Sequence, residues 1–489
     1  GLTMTLSYIP SDTNDEGIFK ATASGVLPNG KPVVVNADGT VSVVGIGAAS
    51  LGSIVQFDTT NSNYISTVYD SNSNKVVIVY RDGGNSNYGT AIVGTISGAS
   101  ISFGSAVVFY SGNAQYISAT FDSNLNKVVI AYQDVGGSVT FYGTAVVGTV
   151  SGASISFGSA VVFRSANSSH ISATFDTTSN KVVIAYSSTN SSLGSAIVGT
   201  VSGASISFGS ETVWESSAYQ TDLFAVYDAN ANRVVIAYRD DGDSGKGKAI
   251  VGTVSGTSIS FGSKVVFEAT STQYPYIVYD STNNRVVIAY MDGGDGDKGK
   301  AVIGTVSGTS ISFNTATVFY DTAGVSNLSA SYNSNAGAVV ISFRGASAYG
   351  LVLEGATTSS SINFGSPLTI TTNAFSASYS DSVYDPISKK VVIAYVDQDD
   401  SGNGKAVVYS SAATNLTAEN YIGISTGGTY ASGSTATVKI IGNTSNEQTS
   451  LTAGQAYYVQ TDGTIGTTAA DPSVFAGTAI SATRLIVKT

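Results

Sequence analysis

Cysteine is missing from all 489 residues, which excludes disulfides and thiolate metal sites. Charge is scarce. Only 11 % of residues are charged, against ~25 % in ordinary soluble domains. The balance is acidic, at −11. Such a surface repels phosphate backbones, so nucleic acid is disfavoured as a partner. Histidine occurs once, as His170. A zinc site with several histidines is therefore excluded, and a Ser-His-Asp triad would have to use that one residue. There is no run of 18 apolar residues and no basic-then-apolar leader. The expectation is a soluble protein with neither membrane insertion nor signal peptide.

What is present points to strands. Hydrophobic residues make up 42 % of the chain and glycine contributes 54 residues. Val, Ile, Tyr and Phe dominate the apolar positions, and Gly, Ser, Thr and Asn the polar ones. That mixture favours β-strands joined by tight turns.

The strands repeat. Tyr-Asp-Ser-Asn-Ser-Asn-Lys-Val-Val-Ile-Val-Tyr ends at Tyr80, and copies end at Tyr132, Tyr186, Tyr238, Tyr290, Phe343 and Tyr395. Each copy carries four strand-length runs. In the fifth they are residues 274–279, 286–290, 300–306 and 310–319, with Asp/Asn/Gly connectors between them. About 50 residues holding four antiparallel strands is the signature of a propeller blade. The run after the longest connector is rich in small residues, as in Ile117-Ser118-Ala119-Thr120, which suits a crowded axis. The Val-Val-Ile-Ala-Tyr run is nearly all apolar, as expected of a strand covered on both faces. The outer run contains a Gly, in Ser-Phe-Gly-Ser, read as an edge bulge.

The seventh copy lacks an outer strand after Tyr409. Residues 51–57 match that strand and precede the first inner one. The reading is an all-β chain: a seven-bladed β-propeller over residues 50–410, closed by its N-terminal strand. Residues 51–57 should pair near 403–410, which removes two open edges. An open β-solenoid is the alternative fold. A weaker repeat joins the ends: Leu27, Gly30, Val35 and Asp38-Gly39-Thr40 recur at the same spacing as Leu451, Gly454, Val459 and Asp462-Gly463-Thr464. Residues 1–46 and 418–489 are therefore expected to form one small β domain.

Glu419-Asn420-Tyr421-Ile422-Gly423-Ile424, the segment 451–464 and the segment 476–488 resemble stretches that recur in structural proteins of tailed phages, marine and cyanobacterial ones above all. Tyr8-Ile9-Pro10-Ser11-Asp12 with Ala21-Thr22-Ala23-Ser24-Gly25 is similar in character. The resemblance implies a tail-fibre or head-fibre appendage at the virion surface. It also implies a homo-oligomer that contacts other virion proteins through the terminal domain. It brings no catalytic residues.

Strand parity puts the second-to-third loops and the blade connectors on one face. The loops beginning at Arg81, Arg239, Met291 and Val396 are rich in Asp and Gly, and the connectors add aromatic and amide groups. Aromatic rings stack on sugar C–H faces, and amides and carboxylates bind hydroxyls. Tyr116, Trp214, Tyr219, Tyr274, Asp241 and Asp292 are the candidate ligand-binding residues, for a host surface glycan or receptor. Calcium is the candidate ion, on Asp292, Asp295, Asp297, Asp397, Asp399 and Ser401, although no loop supplies the twelfth-position Glu of a full motif. His170 has Tyr64, Tyr116 and Tyr274 as repeat equivalents, so it is read as filling an aromatic slot. Three functions stay open: a non-enzymatic receptor- or glycan-binding appendage, a structural or decoration protein, and a polysaccharide-degrading propeller, which needs two carboxylates.

Overall fold

In a computed structural model, residues 17–136, 141–188, 193–216 and 220–488 are described. The fold is all-β. Its strands are antiparallel apart from one isolated bridge, and among the described residues the only helical segments are 3₁₀ turns at Asp241–Asp243 and Ala346–Ala348. No described helix is long and apolar enough to cross a membrane. The chain divides into two units, residues 50–411 and residues 1–49 with 412–489.

The larger unit repeats one module. The first module runs Ser62–Asp70, Lys75–Asp82 and Tyr88–Ser97, with Ser100–Phe103 and the start of Val107–Asp122 both paired to the third strand. Seven such modules follow one another among the described residues. The long strands Val107–Asp122, Val265–Asp280 and Leu368–Asp385 leave the rim of one module and become the inner strand of the next.

Local chemistry makes each module. The first hairpin turns on an Asp whose carboxylate accepts two backbone N–H groups. Asp70 does so from Asn72 and Ser73, and Asp122, Asp176, Asp228, Asp280 and Asp385 repeat it. Asn333 serves in the sixth module. This Asx turn is followed by a left-handed residue, Asn74 at φ 55° and its copies. The second strand is buried on both faces. Val76, Ile78 and Tyr80 pack toward the seventh module, and Val77 and Val79 toward the second. This alternation feeds two cores from one strand.

Inner strands pack in cyclic order, each on the next and the seventh on the first. The seam is sealed by pairing. Leu51 lies opposite Tyr409, and Val55, Gln56 and Asp58 lie opposite Ala406, Lys405 and Gly404. The segment 51–57 thus sits where its sequence copies place it, and Phe57 joins a core shared by the seventh and first modules.

The glycine of Ser-Phe-Gly-Ser does more than interrupt an edge. A Cβ on Gly104 would lie 1.9 Å from the Ala153 carbonyl of the next module, and one on Gly158 would lie 1.9 Å from that of Ala204. Gly52, Gly209 and Gly262 repeat the close approach. At these five positions a Cβ would collide with the neighbouring rim's backbone. At the fifth module Asn314 replaces it, and its amide donates to the Ser360 carbonyl.

The smaller unit holds two five-stranded sheets. One combines Ile18–Thr22, Pro32–Val35 and Val41–Val43 with Tyr421–Thr426 and Thr435–Lys439. The other is drawn from residues 444–487. The two Asp-Gly-Thr turns are matched. Thr40 and Thr464 each donate Oγ1 to Asp38 and Asp462 at 2.6 Å, and Gly39 and Gly463 stand at φ 83° and 84°.

Candidate functional site

Each inner strand begins with an irregular register against its partner, such as the shift between Asn63 and Ser66. The residue inside that irregularity is left-handed: Tyr64 at φ 49°, Tyr116 at 47°, His170 at 46°, Asp222 at 47°, Tyr274 at 53° and Asn327 at 47°. Such a conformation costs a non-glycine residue of order 1–3 kcal/mol. It also re-aims the side chain, as bulges do near functional sites. In the seventh module the irregularity is wider, from Phe375 to Ser380, and contains Tyr379.

These seven residues line one cavity of about 370 Å³. They lie at the strand ends beside the long loops, because Ser62 and Asn63 pair with Asp82 and Arg81. Four rings touch in sequence: Tyr379 to Tyr64 at 4.6 Å between centroids, Tyr64 to Tyr116 at 5.3 Å, and Tyr116 to His170 at 4.8 Å. The Arg81 guanidinium lies 4.8 Å from the Tyr64 ring centre. The arc continues by hydrogen bonds. The Asp222 N–H donates to His170 Nδ1 (3.4 Å), and the Tyr274 N–H donates to Asp222 Oδ2 (3.4 Å).

A second tier lies two residues further along. Ser66, Ser118 and Ser172 accept the N–H of Ala119, Ala173 and Ala225 on the next inner strand, at 3.0–3.1 Å. Asp381 does the same across the seam, accepting the Thr67 N–H at 2.6 Å and its hydroxyl at 3.0 Å. Phe224 and Tyr276 occupy the corresponding positions of the fourth and fifth modules, with ring centres 4.4 Å apart. Tyr276 donates its hydroxyl to Asp381 Oδ1 at 2.5 Å. A hydrogen-bonded aromatic and carboxylate layer thus underlies the collar.

Burial sets the protonation pattern. It raises Asp381 above the ordinary carboxylate range, against the opposing bonds from Tyr276 and Thr67. It lowers His170, against the fields of Asp222 and Asp241. The long N–H contact to Nδ1 works in the same direction, since only an unprotonated ring nitrogen accepts.

Of the sequence candidates, Tyr116 and Tyr274 line this cavity. His170 lines it too, in the slot its repeat equivalents define. Trp214 does not. It is 7 % exposed and packs on Tyr238 and Phe261 between the third and fourth modules, in the column of Phe109 and Phe163. Tyr219 lies outside the described residues. Asp241 is bound to Arg239 at 2.5 Å and accepts the Thr221 hydroxyl.

At several of the calcium candidates the structure places a lysine beside the carboxylate. Asp292 and Asp295 share the Lys300 ammonium at 2.7 and 2.9 Å, and Asp295 also meets Lys298. Asp397 and Asp400 share Lys405 at 2.8 and 2.7 Å. Asp240 and Asp243 share Lys248 in the same way. Asp297 and Ser401 are left-handed turn residues, and Asp399 accepts the Ala374 N–H. Among the described residues no three His, Cys, Asp or Glu side chains gather into a metal site. Each lysine stands eight residues after its first Asp, nearly opposite on the adjacent strand, so the loop carries its own cation. Burial disfavours the charge of Asp292, yet Lys300 and Thr270 hold it below the usual carboxylate range.

Asp222, Asn327, Tyr379 and Asp381 were not among the candidates. Tyr64 appeared only as a repeat equivalent of His170. The first two sit in the column of Tyr64, Tyr116, His170 and Tyr274, so reading that column across all seven copies would have found them. Asp381 carries no such signal, because its role depends on Thr67 and Tyr276.

No protein-family model and no curated protein sequence matches the chain. Among solved structures it is similar to the NanB sialidase from Streptococcus pneumoniae, with 11 % identity and a TM-score of 0.43, over 73 % of this chain and 70 % of that one. It is similar to a Trypanosoma rangeli sialidase, with 11 % identity and a TM-score of 0.40, over 80 % of this chain and 59 % of that one. It is similar to AofleA from Arthrobotrys oligospora, with 9 % identity and a TM-score of 0.42, over 70 % of this chain and 94 % of that one.

Proposed function

We propose that the seven modules are the blades of a seven-bladed β-propeller whose axial cavity, on the long-loop face, binds glycan without cleaving it. We further propose that the chain is a virion appendage, attached through its smaller unit. The observation that carries the binding reading is the collar. Tyr64, Tyr116, Tyr274 and Tyr379 present rings beside His170 and Asp222 at one concave opening. Concave sites that combine apolar rings with a few placed polar groups are the usual form of small-ligand sites. Strained backbone maintained at six of the seven positions supports the same reading. The appendage reading rests on the phage-like terminal segments.

Binding without hydrolysis is favoured by the unequal carboxylates. Asp381 is committed to Thr67 and Tyr276, which leaves Asp222 without a free acid partner in the cavity, whereas most glycosidase families use two working carboxyl groups. A glycan array with the full chain tests the reading. The expected result is a restricted set of hits that Tyr116→Ala weakens at least tenfold with the fold intact by circular dichroism. No hits, or hits indifferent to Tyr116→Ala and to Tyr64→Ala, overturn it.

A further inference from the structure

We propose that the axial cavity selects a glycan terminus bearing a free amine, with its ammonium held by Asp222; this rests on the glycan-binding reading above. Three observations lead there.

The first is charge. Among the described residues lining the cavity there is no lysine or arginine. The ionisable groups that face it, apart from tyrosines, are Asp222, Asp381 and His170. Burial disfavours the charged form of His170, and Asp381 is 6 % exposed and committed to three hydrogen bonds. Asp222 is thus the lining carboxylate with no hydroxyl or ammonium partner, while Arg81, over the Tyr64 ring, and Arg344, whose field reaches Tyr274, stand outside the lining. An acidic sugar entering there would lose hydration and meet a like charge, whereas an ammonium would meet an opposite one.

The second is that Asp222 differs from the three acids of this face that open the lysine-bearing loops. Asp240, Asp292 and Asp397 each hold a lysine within 2.8 Å. Asp222 accepts one long backbone bond, from Tyr274 at 3.4 Å. Its neighbours in the collar are Tyr274 and His170, and tyrosine rings attract cations to their faces.

The third is depth. Phe224, Tyr276 and Asp381 underlie the collar. A polymer does not thread such a site, so the group that enters is a chain end. The cavity, at about 370 Å³, falls at the small end of ligand sites, which span ~300–1,000 Å³.

The test measures affinity of the full chain for four trisaccharides by calorimetry: β-1,4-linked glucosamine, its N-acetylated form, the neutral glucose trimer and a trimer of galacturonic acid. The expected order is free amine, then the two neutral sugars, then the uronate. The amine should lead the neutral trimer by at least tenfold at low salt, a gap that raised salt narrows. Asp222→Asn should erase the amine's lead over the neutral trimer, with the fold intact by circular dichroism. Equal binding of amine and neutral trimers, a preference for the uronate, or an amine preference that survives Asp222→Asn each overturn the amine proposal and leave glycan binding standing. Failure of every trimer, together with an empty array, removes both.

Discussion

At the rim of the larger unit the same residue returns in six of seven modules, whereas at the axis three of the seven copies depart from tyrosine, each differently. The rim column reads Gly52, Gly104, Gly158, Gly209, Gly262, Asn314 and Gly365, and each N–H donates to the third strand of its own module at 2.9–3.0 Å. The buried aromatic column reads Tyr six times, with Phe343 in the sixth module. The axial column reads Tyr64, Tyr116, His170, Asp222, Tyr274, Asn327 and Tyr379. All three columns live on the same backbone. The rim and core must satisfy one packing geometry seven times, so their residues converge. The axis must only keep a shared backbone conformation, so its side chains are free to diverge, and divergence is what a specific site requires.

The largest test of this contrast is at the seam. Phe57 comes from outside the repeat order but fills the repeated slot, against Tyr80 at 5.2 Å and Phe103 at 5.9 Å. Phe57→Ala should cost about 3–5 kcal/mol, the range for a buried Phe. Phe163→Ala, within an unbroken module, should cost as much. Chemical denaturation of both variants checks this, and a much smaller loss at Phe57 would mean that the closing strand is held more loosely than the others.

A middle effect separates paired from unpaired acids. Asp292→Asn removes the partner of Lys300 and should destabilise by about 1–3 kcal/mol at pH 7. Asp292 titrates below its ordinary value of 3.8 in the folded chain. Its contribution is therefore present in full above that ordinary value and is lost as the pH falls through the lowered one. Thermal midpoints of wild type and variant should converge in acid. Asp222→Asn should leave the midpoint unmoved at either pH, since no lysine depends on it.

The smallest expected effect is Tyr238→Phe. The Tyr238 hydroxyl is buried and makes no hydrogen bond among the described residues, and Phe343 already fills the same slot. The change should stay within about 0.5 kcal/mol. A larger loss would show that this hydroxyl has a partner and that the sixth module is an exception.

Much of this architecture is legible in the chain itself. Period-two burial in Val-Val-Ile-Ala-Tyr, the Asx turns and the displaced copy at 51–57 are local signals, and a repeat multiplies them. The site was half legible. Tyr116, His170 and Tyr274 stand in a recognisable column, whereas Trp214 and Asp292 were indistinguishable by type from surface residues. An indole between modules and a carboxylate beside its own lysine look like binding chemistry until the neighbours are known.

By itself, then, the sequence determined the repeat, the turns, the closing segment and the paired hairpins at Asp38 and Asp462, because each depends on residues a few positions apart. Only the tertiary structure decided which acids are spent on lysine and which face a cavity. It also decided that Asp381 meets Thr67, 314 residues away. Charge and hydrogen-bond satisfaction are settled by whichever groups the closed ring brings within 3 Å, and no local pattern encodes that.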